Sequence, residues 1–103
     1  MKTFRYNLDT SFIKEPLEVT PQQLWINHFY GALQTAYKDG LGMDFQKRVF
    51  KITDKVEKAT EDVVQLEDAE FDLLKECFER AKCPPALVKI WVQIHDAIEE
   101  AKK

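Results

Sequence analysis

Two cysteines, two histidines and one serine are the raw material for nucleophilic or metal-assisted chemistry in this chain of 103 residues. Cys77, Cys83 and His95 can be assembled into a metal site on paper. Zinc prefers tight pairs such as Cys-x2-Cys, whereas these cysteines stand six apart and Cys77 sits in the middle of an apolar helical stripe. A buried cysteine there acts as a small hydrophobe. Cys83 follows Arg80 and Lys82, and nearby cations favour a thiolate. His28 and His95 lie on or beside apolar helix faces, the pattern of packing histidines with one hydrogen bond. His28 has no carboxylate on its own face. Asp96 is adjacent to His95 in sequence, and neighbouring helix positions do not face each other.

Phosphate and acyl chemistry lack their usual loops. The only close glycine pair is Gly40-Leu41-Gly42, at a helix end, and Ser11 has no Gly-x-Ser-x-Gly setting. The expectation is therefore a non-enzymatic protein with no cofactor and no metal.

Charge is more informative than catalytic chemistry. The formal net charge is −3, far from the basic balance of a nucleic-acid binder. Residues 61–79 hold eight carboxylates against Lys75, a balance of −7, whereas 44–58 hold five cations against three carboxylates, a balance of +2. As solvated helix faces these contribute little to stability. As recognition surfaces, Asp72, Glu76 and Glu79 would meet a basic partner and the lysine face an acidic one. The basic face is read as lacking the interleaved aromatics of single-strand binders, and no helix-turn-helix spacing precedes it. Specific DNA reading is not expected.

Four amphipathic helices have to position these groups. Phe4, Tyr6 and Leu8 alternate with polar residues, which predicts a short strand or hairpin, or an extended arm, over 1–19. Asp9-Thr10-Ser11 is turn chemistry, Phe12 and Ile13 follow it, and Pro16 keeps Glu15 out of helix. Thr20, Pro21 and Gln23 mark a helix start with a capping box, predicting a helix over 20–39 ended by Gly40 and Gly42. Its apolar residues, from Leu24 and Trp25 through Tyr37, cover nearly half the circumference. A second helix over 44–60 carries the stripe Phe45, Val49, Ile52, Val56 and Ala59, with Phe50 well off it. Val63–Leu66 is either a strand pairing with the N-terminal arm or an extended link. A third helix over 68–82 is capped by Glu67 or Asp68, with Leu66 and Phe71 spaced as a hydrophobic staple in the first case. A fourth over 85–101 carries Ile90, Trp91, Ile94 and Ile98, with Val88, Val92 and His95 as a second ridge.

The fold class is thus mainly α, a single domain with a short N-terminal β element. The two cysteines suit a reducing, cytoplasmic setting. No apolar run reaches the roughly 18 residues needed to span a bilayer, and the N-terminus lacks the apolar core of a signal peptide.

The apolar surplus on the first and last helices, with the stray Phe50, points to a protein-protein interface. Its expected residues are Trp25, Phe29, Tyr30, Phe50, Val88, Trp91, Val92 and His95. The expected function is a small interaction module, an assembly factor or accessory subunit that self-associates. The alternative is an acidic inhibitor covering a basic nucleic-acid-binding surface of a target enzyme. In its size, acidity and want of motifs the chain is similar to many phage-encoded products, virion-assembly chaperones among them, although no motif carries that likeness.

Overall fold

Alternation at the N-terminus and β-branched residues in mid-chain meet in one small sheet. The computed structural model describes residues 2–11 and 19–101. Strand β1 (Lys2–Arg5) pairs antiparallel with β2 (Val63–Leu66), Phe4 opposite Val64 and Lys2 opposite Leu66. Of the two readings of Val63–Leu66, the strand obtains. Phe4, Val64 and Leu66 turn to one face and are buried, as period-two alternation requires. Beyond β1, Tyr6 and Leu8 remain buried, and the Tyr6 N–H donates to the Asp62 carbonyl at 3.2 Å. The Asp9–Ser11 turn is an Asx type, the Ser11 N–H donating to Asp9 Oδ1 at 2.9 Å. The reading of Phe12, Ile13 and Pro16 lies outside the described residues.

Helix α1 (Pro21–Ala36) starts where its cap places it, the Gln23 N–H donating to Thr20 Oγ1 at 3.1 Å. Only half of the expected capping box forms, because the Gln23 amide donates forward to Asn27 Oδ1 at 2.8 Å. The helix stops three residues short of 39. Gly40 adopts a positive φ of 94° and its N–H returns to the Tyr37 carbonyl at 3.1 Å, a turn that other residues enter only with strain. Helix α2 (Met43–Glu57) begins at Gly42 as N-cap and ends three residues before 60. Helix α3 (Asp68–Arg80) is capped by Glu67 with a full reciprocal capping box to Glu70. The expected last helix is split: Pro84 and Pro85, neither with an N–H to give, leave a 3-10 turn over Pro85–Leu87 before α4 (Val88–Glu100).

Phe78 of α3 lies at the centre of the core. Its ring meets Trp25 at 6.4 Å, stacks on Phe29 at 6.1 Å and meets Trp91 edge-on at 5.6 Å. Phe4 of the sheet closes on Trp25 at 5.4 Å. Such ring pairs each add about 0.5–1.5 kcal/mol beyond area burial. No helix among the described residues is long and apolar enough to cross a membrane.

Candidate functional site

Most of the wide apolar arc of α1 is used up inside the chain. Trp25 and Phe29 are 1% and 0% exposed, and Trp91 of α4 is 2% exposed. These three expected interface residues are core residues, a correction with a simple cause. Helix α1 is covered on several sides at once, by Phe4 of β1, Phe78 of α3 and Trp91 of α4. Trp25 and Trp91 therefore converge on Phe78 within one chain. His95 is half-buried, with its ring 6.1 Å from Phe78.

His28 is a packing histidine. It is buried on α1, and its Nδ1 accepts a hydrogen bond from Trp91 Nε1 at 3.3 Å. Burial holds its pKa below the ordinary 6.5. Cys77 is fully buried, and desolvation raises its thiol to about 11. Burial also raises the Cys83 thiol, which donates to the Pro84 carbonyl at 3.2 Å. The cations Arg80 and Lys82 do not make it acidic: Arg80 lies over the Tyr37 ring instead, 4.8 Å from its centroid. Among the described residues no three His, Cys, Asp or Glu side chains converge as a metal site would require.

Opposite charges of α2 and α3 meet at Lys55 and Glu70. Lys55 Nζ lies 2.5 Å from Glu70 Oε1, which also accepts the Glu67 N–H at 2.9 Å. Glu70 is buried and satisfied. Asp72, Glu76 and Glu79 all stand exposed on α3, and of these Glu76 approaches Arg80 at 3.7 Å.

Among the described residues, apolar side chains stand exposed on three helices, and Val19 before α1 is exposed as well. Tyr30 of α1 is 46% exposed, Phe50 of α2 is 68% exposed, and Val88 and Val92 of α4 are about half exposed. Met43, 73% exposed, was missed by sequence reasoning. Its signal was available: it precedes Phe50 by seven residues, two helical turns on the same face. Between α1 and α2, Tyr30, Leu33, Tyr37, Leu41 and Val49 line an open hollow of about 340 Å³. Beside it, Met43, Gln46, Lys47, Phe50 and Lys51 line a second open apolar depression. The two share a border, since Gln46 Nε2 donates to the Leu41 carbonyl at 2.7 Å. Tyr37 is held at the hollow's end by Phe45 at 4.8 Å and by Arg80 on its other contact. The basic face thus carries one aromatic ring after all, Phe50. One ring does not make the succession of stacking platforms that single strands use.

A different cleft, of about 270 Å³, separates the β1 exit from α4 and is lined by Arg5, Asn7, Asp9, Gln93, Asp96 and Glu100 among others. Gln93 closes one side with two hydrogen bonds to the Asp9 backbone, at 2.6 and 2.9 Å. These two bonds tie the N-terminal segment to α4. Comparison of the chain with protein-family models, with curated proteins and with solved structures finds no match.

Proposed function

We propose that this protein is a non-enzymatic interaction module, an assembly factor or accessory subunit, whose contact surface is the α1/α2 face. The carrying observation is that Met43 and Phe50 stand more than two-thirds exposed, two turns apart on one helix, beside an apolar hollow. An exposed apolar area of this kind, rimmed by polar residues, is the usual mark of a protein contact. Aromatic anchors at its centre are where binding energy concentrates. His28 and Cys77 support the non-enzymatic part of the reading, since both are buried in packing roles.

The test is a pair of baits, wild type and Met43→Glu/Phe50→Glu, with sedimentation velocity on both. A protein captured by the wild type and lost by the variant, or a wild-type dimer that the variant dissolves, supports the reading. Identical capture and identical sedimentation of the two proteins would remove it.

A second reading rests on the exposed Asp72, Glu76 and Glu79, spaced at i, i+4 and i+7 on α3. It makes the protein an inhibitor that covers a basic nucleic-acid-binding surface. Its test is charge reversal at those three positions, which should abolish capture of the target while Met43→Glu/Phe50→Glu leaves it intact.

A further inference from the structure

The charges around the α1/α2 face define what it takes. Helix α1 has no Asp, Glu, Lys or Arg anywhere along Pro21–Ala36. The following turn and the first half of α2 hold Lys38, Lys47, Arg48 and Lys51 against Asp39 and Asp44, a balance of +2. The whole chain is −3, so everything outside this stretch carries −5. The segment that borders the apolar hollow on the α2 side is thus net positive in an acidic chain. Lys47, Arg48 and Lys51 are exposed, and none has an ion-pair partner among the described residues.

A second copy fits this face poorly. Laying α2 on α2 across a twofold axis sets these cations against themselves, and like charges in apposition select against a partner. The chain's own acidic surface on α3, around Asp72, Glu76 and Glu79, shows no exposed large apolar side chain among the described residues, so it has nothing to place in the hollow. The α4 patch of Val88 and Val92 is flanked by Lys89 as well as Asp96.

We infer that the α1/α2 hollow binds an acidic amphipathic helix of another protein, with apolar residues entering between Tyr30 and Val49 and carboxylates facing Lys47 and Lys51. Helix-in-groove recognition reads apolar anchors at i, i+3, i+4 and i+7. Met43 and Phe50 are themselves seven residues apart, a rise of about 10 Å along α2, which matches an i, i+7 pair on a helix lying alongside.

This inference rests on the proposed interaction surface, and the experiment separates the two. The probes are an 18-residue labelled peptide with Leu at helical i, i+3, i+4 and i+7 positions and Glu elsewhere, and its counterpart with Lys for Glu. Phosphatidylserine vesicles and a single-stranded oligothymidine complete the set. Anisotropy against the intact protein should show the Glu peptide bound and the Lys peptide at least about tenfold weaker. Phe50→Glu should cost about tenfold or more. Lys47→Glu with Lys51→Glu should cost a similar factor and flatten the salt dependence. Each variant alters exposed side chains, so unchanged urea midpoints show that it is folded. Equal affinity for both peptides, preference for vesicles or oligothymidine, or no binding of the Glu peptide overturns the inference. If the peptide fails while a Phe50-dependent complex persists in sedimentation, the interaction surface stands and its acidic occupant does not.

Discussion

Acidification should weaken this fold through one buried imidazole. His28 Nδ1 accepts from the Trp91 indole at 3.3 Å inside the core. A protonated imidazole carries hydrogen on both nitrogens and cannot accept, so protonation would leave two donors facing each other without water. Burial accordingly lowers the folded-state pKa below 6.5. The unfolded chain takes up the proton as pH falls through 6.5, whereas the folded chain does so only at lower pH. The stability held above pH 6.5 is therefore lost as pH falls toward the folded-state pKa. One extra proton in the unfolded state gives a slope of at most about 1.4 kcal/mol per pH unit. The His28 contribution to the loss between pH 7.5 and 5.5 is thus bounded near 1.4 kcal/mol. For a domain of this size that is a fall in Tm of roughly 5–10 °C. The Asp9 carboxylate, stabilised by the Ser11 N–H, is held below 3.8 and acts only at lower pH. The assay is urea or thermal denaturation at pH 7.5 and 5.5, for wild type and His28→Gln. The variant keeps an acceptor for Trp91 but has no proton to bind, so its two curves should lie closer together. If His28→Gln loses as much stability on acidification as the wild type, the reasoning is refuted.

Gly31→Ala should raise stability by about 0.5–1 kcal/mol, read as a higher urea midpoint, because the position is helical and an added Cβ meets nothing within 4 Å. Glu70→Ala strips Lys55 of its partner and the Glu67 N–H of its acceptor, and should lower stability by about 1–3 kcal/mol in the same titration. With a thiol reagent at pH 8 only Cys83 should label in the native state, Cys77 following on unfolding, since its thiol is buried and raised to about 11; two fast equivalents would contradict the packing. Phe50→Ser should leave stability within about 0.5 kcal/mol of wild type, as expected where a side chain is mostly solvent-exposed.

The helices were legible because their apolar residues repeat at three and four positions, and the caps at Thr20 and Glu67 marked two starts closely. Phe50 announced its exposure by falling off the stripe of Val49, Ile52 and Val56. Periodicity gives the width of an apolar arc and not the number of neighbours that cover it. Trp25 and Phe29 consequently looked surplus, although Phe4 of β1 and Phe78 of α3 pack on them. The Lys55–Glu70 contact joins residues fifteen apart on different helices, a juxtaposition set by the β2 connection and by no local pattern. The hollow was likewise invisible beforehand, because its lining comes from α1, the turn at Gly40 and α2 together. Val63–Leu66 stayed open because a run of four residues with two valines and a leucine fits a strand or a link equally. Its pairing with β1 is what decides it.

The central claim is that the α1/α2 face is where this protein meets its partner. Nitrogen-15 NMR of the intact chain, titrated with the acidic amphipathic peptide, tests it residue by residue. The account predicts that the largest shifts cluster at Tyr30, Gln34, Leu41, Gln46, Lys47, Phe50 and Lys51, with α3 and α4 quiet. Shifts centred on Val88 and Val92, or spread evenly over the molecule, would contradict it.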